Sequence, residues 1–466
     1  MQSQTEENEF RGKYFGTDGF RGEAGVNLTA EHAFRIGRFL GLPQDGRRVR
    51  VLIGKDTRRS CYQLEYALAA GVAASGGDAC LLHVVPTPGV SWLCSAGKYD
   101  YGVMISASHN SYYDNGIKIV NRKGEKAEDA LLARIEAWMD SDTVEPAAVR
   151  EKTGCVYDCA EIRERYARHL LSLATDSLAG QPFTGLRVGL DCANGAAWRM
   201  APFLFRQAGA TVYTIGDAPD GLNINAGVGS THIDALCRIV WEHGLDCGFA
   251  FDGDADRCIA VDGDGNEVDG DKILYLFARK LQKEGKLRGN TVVITAMSNL
   301  GLSRALEQAG IDCVRTAVGD RFIYECMAAN DYVLGGEQSG HILLRDREVT
   351  GDGILTALLL AGEMIGSGFA FRDALREMTA QVVSYPQLTE SVRVHDKDAA
   401  LADAAVQAEA ERVRVRLGEN GRLVLRKSGT EPVVRVMVEA QDEAICRACC
   451  DGLIALLKAA GKGADR

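Results

Sequence analysis

The sequence predicts an α/β protein with three related α/β domains that contain mixed sheets, followed by a smaller C-terminal α+β domain. Apolar runs typical of buried strands alternate with amphipathic helical patterns along most of the chain. Three of the predicted strands end in loops of small and polar residues, which begin near Ser106, Asp252 and Gly335. Open α/β folds bind ligands at such strand ends, so these loops are the candidate functional segments.

The first predicted domain covers residues 1–152 and contains the first of these loops. Ser60 and Gln63 have the spacing of a capping box and predict the start of a helix. The residues at 86–89, Pro-Thr-Pro-Gly, predict a turn. The other elements predicted here are a helix at 29–40, a strand at 49–54, the end of the capped helix at 76–77, and strands at 79–85 and 103–105.

The second and third predicted domains cover residues 153–258 and 259–377, and the C-terminal domain covers residues 378–466. In the last domain, strand-like runs at 413–417 and 422–425 flank Gly-Glu-Asn-Gly, which predicts a hairpin. The strands predicted for the second and third domains lie at 186–191, 211–215, 246–251, 291–296, 312–316 and 332–335, with a hairpin at 259–268.

Length, charge and hydropathy exclude several classes of protein. The 466 residues suffice for three or four domains. The net charge of −11 argues against nucleic acid as the main partner, but it allows a local basic pocket for an anionic small molecule. The N-terminal residues lack the pattern of a signal peptide, and no apolar run approaches the roughly 18 residues of a membrane span. We therefore expect a cytoplasmic protein whose 14 cysteines are reduced.

The loop that begins near Ser106 contains the strongest catalytic candidate. Ser-Ala-Ser-His follows a buried strand, so hydroxyl groups and an imidazole are expected at the edge of the sheet. Ser108 is the candidate for the residue that carries the chemistry, and His109 and Lys118 lie close to it in sequence. A polar loop between a strand and a turn is the alternative interpretation.

Three alternating carboxylates, Asp252, Asp254 and Asp256, predict a metal site. Carboxylates this close repel each other unless a cation neutralises them, and oxygen ligands suit Mg²⁺ or Ca²⁺ rather than zinc. A calcium-binding loop needs glycine at its sixth position and a carboxylate at its twelfth, where this chain has Arg257 and Gly263. The pattern therefore favours Mg²⁺, with a polar turn at a strand end as the alternative.

Further loops offer groups that bind phosphate or sugar. Arg21 lies at the tip of a glycine-rich loop, and Arg426-Lys-Ser-Gly-Thr430 combines cations, hydroxyls and backbone amides that suit a phosphate. Neither GxxxxGK[ST] nor a helix-opening GxGxxG is present, so a dinucleotide cofactor is not expected. Three polar side chains in a glycine-flanked loop suit sugar hydroxyls or an amine: Glu337, Ser339 and His341.

Five segments in order, YFGTDGFRG, ISASHN with DNGIK, DGDADR, GEQSGH and RKSGTEP, resemble the α-D-phosphohexomutases over nearly the whole chain. The first segment and GEQSGH are most similar to the members that act on glucosamine phosphates. One departure is Ser111, because the family usually has proline directly after SASHN. The absence of that ring frees the backbone, so we expect a less rigid loop after the serine.

The resemblance implies four domains around a central cleft and a phosphorylated Ser108 in the active enzyme. It implies that Mg²⁺ is held by Ser108, Asp252, Asp254 and Asp256. It also implies that Glu337 and Ser339 contact sugar hydroxyls. The residues implied to grip the non-reacting phosphate are Arg426, Ser428, Gly429, Thr430 and Arg435. Those implied to line the reacting end are Arg21, His109, Lys118, Arg257 and His341.

The main functional hypothesis is the interconversion of glucosamine 6-phosphate and glucosamine 1-phosphate. It involves a phosphoserine enzyme and a hexosamine bisphosphate that serves as intermediate and activator, with Lys118 or His109 as general acid/base. The alternatives are a phosphomannomutase/phosphoglucomutase, a non-catalytic sugar-phosphate sensor and a metal-dependent phosphatase. The expected partner is a small-molecule sugar phosphate, with neither nucleic acid nor membrane, and a homodimer is the hypothesis for the oligomeric state.

Overall fold

The computed structural model of the chain describes residues 12–16, 18–141, 146–177, 183–427 and 433–460. The chain forms two compact units. Unit 1 consists of Met1–Thr295 and Thr316–Thr379, and unit 2 consists of Ala296–Arg315 and Ala380–Arg466. The domain boundaries predicted after residues 152, 258 and 377 remain predictions.

The first sheet of unit 1 is a mixed sheet of seven strands in the order β1-β2-β6-β5-β3-β4-β7. Its centre is parallel, because β3 pairs in parallel with both β4 and β5, whereas β6 is antiparallel to β5. The strands are Phe15–Gly16, Gly19–Glu23, Arg50–Lys55, Asp78–Val84, Tyr101–Ile105, Asp114–Val120 and Val156–Asp158 (β1 to β7). The helices are Ala30–Leu40, Arg59–Ala74, Thr87–Gly97 and Asp129–Asp140 (α1 to α4).

The second sheet has five strands in the order β12-β11-β10-β8-β9. Strand β10 is parallel to β8 and antiparallel to β11, so the turn between β10 and β11 lies at the carboxyl end of β10. The strands are Arg187–Asp191, Thr211–Ile215, Cys247–Phe251, Cys258–Val261 and Glu267–Val268 (β8 to β12). The helices of this region are Arg163–Ser177, Met200–Gln207 and Asp234–His243 (α5 to α7).

The third part of unit 1 pairs β15 in parallel with β13 and in antiparallel with β16. Helix α11 is almost entirely buried and forms part of the core of this unit. In chain order, the helices are Gly270–Lys283, Leu300–Gln308, Asp320–Asn330, Gly353–Gly366 and Phe371–Thr379 (α8 to α12). The strands are Thr291–Thr295, Asp312–Thr316, Leu334–Gly336 and Ile342–Leu344 (β13 to β16). Helix α9 and nearly all of β14 belong to unit 2.

Unit 2 contains a three-stranded antiparallel sheet in the order β17-β19-β18. Its strands are Gln387–Arg393, Arg422–Lys427 and Val433–Glu439 (β17 to β19), and its further helices are Lys397–Ala402, Ala404–Leu417 and Glu443–Ala460 (α13 to α15). In the chain as a whole, short 3₁₀ helices lie at Arg150–Lys152, Ala160–Ile162, Arg288–Asn290 and Gly418–Asn420.

The predicted fold class, α/β with a smaller C-terminal α+β domain, is confirmed.

Two side chains of the three-stranded sheet, Glu439 and Arg422, hold the segment Ala296–Arg315 within unit 2. The carboxylate of Glu439 accepts a hydrogen bond from the backbone N–H of Leu300 at 2.7 Å, and it is fully buried. The guanidinium of Arg422 pairs with Glu439 and donates to the carbonyl of Ala296 at 2.8 Å. A segment distant in sequence therefore completes the C-terminal unit.

Three local predictions were wrong. Residues 86–89 do not form a turn, because helix α3 begins at Thr87 and Pro88 lies in its first turn, where a missing N–H costs nothing. Ser60 lies inside α2, whose N-cap is Arg58, so the capping box is absent. The run at 413–417 is the end of α14 rather than a strand of a hairpin, because its apolar residues continue the buried helical face that starts at Val406.

In the described ranges, no single helix has the length and hydropathy to cross a membrane. Helices α11 and α12 pass that test only as a pair, and they are bent by 101° relative to each other.

Candidate active site

Ser108 lies in the loop between β5 and β6, and its side chain is buried against the second sheet. Its Oγ donates a hydrogen bond to Oδ2 of Asp252 at 2.5 Å, and it lies 3.4 Å from Nδ1 of His109. Asp252 directly follows β10, so the ends of two strands from different sheets meet at this point. The serine and the first aspartate, predicted separately from the sequence, are therefore in direct contact.

Gly253 allows this close approach. A Cβ atom at this position would lie 2.5 Å from the backbone carbonyl oxygen of Ser108, which is far closer than real side chains come. A residue with a side chain would therefore push the Ser108 loop away from the turn after β10. Glycine between Asp252 and Asp254 is a steric requirement of the site.

The three aspartates form a buried cluster whose donor atoms fit a magnesium ion. One carboxylate oxygen from each of Asp252, Asp254 and Asp256 lies within 4.8 Å of the other two. Oδ1 of Asp254 and Oδ1 of Asp256 are buried and have no hydrogen-bond partner among the described residues. An oxygen-only set with unsatisfied carboxylate atoms suits a hard divalent cation. The residues therefore fit the predicted Mg²⁺.

The electrostatics of the cluster are uneven. Burial, followed by the charges of Asp256 and Asp254, raises the pKa of Asp252 well above its usual range. Burial also acts to raise the pKa of Asp254, but the ammonium group of Lys118 and the hydroxyl of Thr87 outweigh it and lower that pKa. Asp254 thus has a compensating positive charge beside it, whereas the pKa of Asp252, the carboxylate that contacts Ser108, stays raised.

Lys118 lies on β6 and faces the aspartates. Its Nζ is 2.9 Å from Oδ2 of Asp254, 3.6 Å from Oδ2 of Asp18 and 3.7 Å from Oδ2 of Asp256. Burial opposes the charge, but these three carboxylates together raise the pKa of Lys118. Arg21, on β2, forms an ion pair with Asp18. Lys118 therefore contacts the triad directly, and Arg21 is connected to Lys118 through the shared carboxylate of Asp18.

His341, in the loop between β15 and β16, and Arg257, in the turn after β10, both lie close to Asp256. Nδ1 of His341 is 3.7 Å from Oδ2 of Asp256, and its Nε2 accepts a hydrogen bond from the backbone N–H of Gly351 at 3.3 Å. Nε of Arg257 is 3.9 Å from Oδ1 of Asp256. Burial opposes the charge of Arg257, but Asp256, Asp252 and Glu337 raise its pKa.

His109, whose ring lies beside Ser108, is uncharged at neutral pH, because burial and the positive charges of Arg257 and Arg21 lower its pKa to about 4.

Glu337 and Ser339 lie in the loop between β15 and β16. Oε1 of Glu337 accepts a hydrogen bond from the backbone N–H of Gly319 at 3.2 Å, and its Oε2 accepts one from the hydroxyl of Ser339 at 3.4 Å. Ser339 is exposed and Glu337 is half-buried. These two side chains are close to each other. The carboxylate can accept hydrogen bonds from a polar ligand, and the hydroxyl group can accept or donate one.

Arg426 and Arg435 are directly opposite each other on strands β18 and β19 of unit 2. Burial and the positive charge of Arg435 on the facing strand lower the pKa of Arg426. Such a pair suits an anion such as phosphate. Ser428, Gly429 and Thr430 lie outside the described residues.

The sequence interpretation did not single out several residues that contact the predicted ones. The hydroxyl of Thr87 donates to Oδ2 of Asp254 at 2.6 Å. Nζ of Lys126 lies 3.2 Å from Oδ1 of Asp18 and forms a second ion pair with Asp320, which starts α10. Asp18 belongs to the glycine-rich loop around Arg21, but no sequence pattern distinguishes Thr87, Lys126 or Asp320 from ordinary surface residues.

Four family models together match most of the chain between residues 12 and 456. Residues 12–145, 164–265 and 269–382 match the α/β/α domains I, II and III of phosphoglucomutase/phosphomannomutase, and residues 391–456 match the C-terminal domain. The phosphoglucosamine mutase of Lachnospira eligens is 50% identical over 456 residues, which cover 97% of this chain and 99% of the relative. The phosphoglucosamine mutase of Bacillus subtilis is 47% identical, with 93% and 96% covered.

Solved structures agree with the family models. A phosphoglucomutase/phosphomannomutase family protein from Burkholderia thailandensis is 25% identical with a TM-score of 0.77, and 97% of this chain and 98% of that chain are covered. The N-acetylphosphoglucosamine mutase of Aspergillus fumigatus, solved with GlcNAc-6P and magnesium, shares the fold at 18% identity and a TM-score of 0.67, with 96% of each chain covered. The chain therefore belongs to the phosphoglucomutase/phosphomannomutase family, the α-D-phosphohexomutases.

Proposed function

We propose that the protein interconverts glucosamine 6-phosphate and glucosamine 1-phosphate through a phosphoserine enzyme and a hexosamine bisphosphate intermediate. The observation that carries the proposal is the contact between Ser108 and Asp252, within a buried triad of aspartates and beside a lysine and two arginines. Two relatives named phosphoglucosamine mutase, which are 50% and 47% identical to this chain, support glucosamine phosphates as the substrates.

In the proposed reaction, Ser108 stores the phosphoryl group that moves between the two ends of the sugar. Ser108, Asp252, Asp254 and Asp256 would hold Mg²⁺, which supplies neutralisation of negative charge at the transferring phosphoryl group. Lys118 and the guanidinium groups near the triad add fixed positive charge. Because a serine hydroxyl is a weak nucleophile and a phosphoryl group is strongly anionic, such charge is what the transfer requires.

Proton transfer in the proposed reaction falls to His109 or Lys118. Nδ1 of His109 lies 3.4 Å from Oγ of Ser108, a distance that becomes a hydrogen bond with a small movement of the ring. Nζ of Lys118 lies among three carboxylates and is closest to Oδ2 of Asp254.

The remaining predicted residues are proposed to bind the substrate. Glu337 and Ser339 would contact sugar hydroxyls, and His341, Arg257 and Arg21 would line the reacting end. The non-reacting phosphate would be bound by Arg426, Ser428, Gly429, Thr430 and Arg435. The proximity of Arg426 to Arg435 supports an anion-binding role for this pair.

The experiment that tests the proposal compares substrates for the phosphorylated, Mg²⁺-loaded protein. We expect the largest kcat/KM with glucosamine 6-phosphate, and smaller values with glucose and mannose phosphates. Turnover of only the glucose and mannose phosphates would instead assign a phosphomannomutase/phosphoglucomutase. Net release of phosphate without isomerisation would assign a phosphatase, and binding without turnover would assign a sensor. The homodimer and the cytoplasmic location stay predictions from the sequence.

A further inference from the structure

Arg58 is a buried cation that the proposed reaction has not yet used. It precedes helix α2, its side chain is fully inaccessible to solvent, and its guanidinium group faces the backbone of the Ser108 loop. One terminal nitrogen donates to the carbonyl oxygens of Ser108 and Asn110, each at 2.8 Å, and the other donates to the carbonyl oxygen of Ser111. The side chain of Arg58 thus binds three of the four backbone carbonyls of residues 108–111.

The carboxylate of Asp56 fixes this guanidinium group and contacts the same loop from its other side. Nε of Arg58 donates to Oδ2 of Asp56 at 2.9 Å, and the hydroxyl of Ser106 donates to the same oxygen at 2.6 Å. The hydroxyl of Ser106 in turn accepts a hydrogen bond from the backbone N–H of Ser108 at 2.9 Å. Asp56 and Arg58 therefore bind both the N–H and the carbonyl of Ser108, one of them through Ser106.

The backbone of Ser108 has a conformation that needs such support. Its φ is +52°, in the left-handed region that residues other than glycine rarely adopt. In this conformation its Oγ contacts Asp252. The amide of Asn225 adds two further hydrogen bonds, to the carbonyls of Ser108 and Asn110 at 2.9 and 3.0 Å.

We propose that Arg58, fixed by Asp56, is the positioning residue that holds Ser108 in its left-handed conformation and keeps its hydroxyl group against the aspartate triad. Arginine suits this role because its rigid, planar guanidinium group directs N–H groups from separate nitrogens at several carbonyls, whereas lysine offers its three N–H groups from one atom. The proposal also explains how the loop tolerates Ser111 where the family usually has proline: the guanidinium group binds the carbonyl of Ser111 and restrains the backbone there.

This inference rests on the proposed phosphoserine reaction, in which Ser108 must return to one position after each transfer. A misplacement of about 1 Å in a reacting group costs roughly a hundredfold in rate. Among the described residues, no hydrogen bond or ion pair joins Asp56 or Arg58 to the triad, so the loss of this pair would change the position of Ser108 and leave the cations around the site in place.

The test replaces arginine by lysine at position 58 in the full, phosphorylated, Mg²⁺-loaded chain. Arg58→Lys retains the charge beside Asp56 but loses the fork, so we expect kcat with glucosamine 6-phosphate to fall by roughly ten- to a hundredfold while KM changes less than about twofold. The matched control is Lys55→Arg. Lys55 lies three residues before Arg58 and forms a buried ion pair with Glu65 at 2.5 Å, so its side-chain hydrogen bond does not reach the Ser108 loop. The control is expected to keep kcat within about twofold of the unmodified protein, whatever its melting temperature.

Equal kcat values for Arg58→Lys and Lys55→Arg would overturn the proposal. If Arg58→Lys does not fold, the uncharged pair Asp56→Asn with Arg58→Gln replaces it, and an unchanged kcat would have the same meaning. A crystal structure of the folded variant separates this inference from the proposed function. Failure of the unmodified protein to convert glucosamine 6-phosphate counts against the function alone, whereas a variant with φ of Ser108 still near +52° rejects the positioning role.

Discussion

Lys126 and Asp320 form an ion pair, 2.8 Å between Nζ and the carboxylate, that joins the segment before α4 to the first turn of α10. Burial opposes the charge on Lys126, but Asp320 and Asp18 raise its pKa. A neighbouring ion pair reinforces this connection, because Arg321 of α10 donates two hydrogen bonds, at 2.6 and 2.9 Å, to Asp129 at the start of α4. Lys126 and Asp129 together therefore attach α10 to the segment around the start of α4.

Lys126→Met should destabilise unit 1, because Asp18 and Asp320 would lose the cation between them. Lys126 is about a third exposed, so solvent screening limits the expected loss to about 1 kcal/mol in the free energy of unfolding, measured by urea denaturation. Lys123→Met, in the same loop but largely exposed, is the control and should change it by less than about 0.5 kcal/mol. Equal losses in the two variants would show that the ion pair contributes nothing.

Ser108→Ala should lower kcat by at least about a thousandfold, because the phosphoryl group would have no carrier. Intact-mass measurement should also find an added phosphate on the unmodified protein and none on the variant. Ser95→Ala, an exposed serine of α3, is the control for general effects of the substitution. Near-normal turnover by Ser108→Ala would end the phosphoserine mechanism.

Asp252→Asn should have opposite effects on stability and on metal binding. The folded-state pKa of Asp252 is raised, so its charge opposes folding at neutral pH, and the variant should melt at a higher temperature than the unmodified protein without Mg²⁺. Its Mg²⁺ affinity, measured by calorimetry, should fall at least about tenfold because one charged ligand is lost. Asp264→Asn, in the hairpin after β11, should leave Mg²⁺ affinity unchanged. A lower melting temperature without Mg²⁺ would contradict this account.

Asp352 should make the stability of unit 1 depend on pH. It caps α11 and accepts a hydrogen bond from the hydroxyl of Tyr166 at 2.5 Å, and burial followed by the charge of Glu348 raises its pKa to about 7. The folded state therefore retains a proton that the unfolded state releases near pH 4, and stability should fall as pH rises from about 4 to about 7, by at most about 1.4 kcal/mol per pH unit. Asp252, whose pKa is also raised, contributes to the same pH dependence, so Asp352→Asn should make the slope shallower without removing it, as measured by urea denaturation at several pH values. An unchanged slope would exclude Asp352 as a contributor.

The strand-end loops could be predicted from sequence because each is a local pattern. Ser108 and Asp252 come after apolar strands, and the rule that ligands bind at strand ends identified both before their contact was known. Arg58 could not be predicted, because its partners are backbone carbonyls some fifty residues away, and a backbone carbonyl leaves no mark in the sequence. Lys126 has the same difficulty, since Asp320 is distant and each residue alone resembles an ordinary surface charge.

The local errors have physical causes as well. Proline at 86 and 88 predicts a turn, but the same residue is also favoured in the first turn of a helix, and the outcome depends on whether the next residues continue a helical pattern. The apolar residues at 413–417 fit a short strand in isolation. They form the last turn of α14 because Val406, Ala410, Val413 and Leu417 share one buried face.

The split of unit 2 across the sequence limits how this protein can be recombined with its relatives. Residues 380–466 alone lack helix α9, and they leave Glu439 and Arg422 without the backbone groups of Leu300 and Ala296. A chimaera that exchanges only the C-terminal stretch would therefore join these side chains to a foreign helix. Exchange of both stretches from one parent keeps these contacts within one native unit, so we expect such a chimaera to be more stable than one that exchanges residues 380–466 alone.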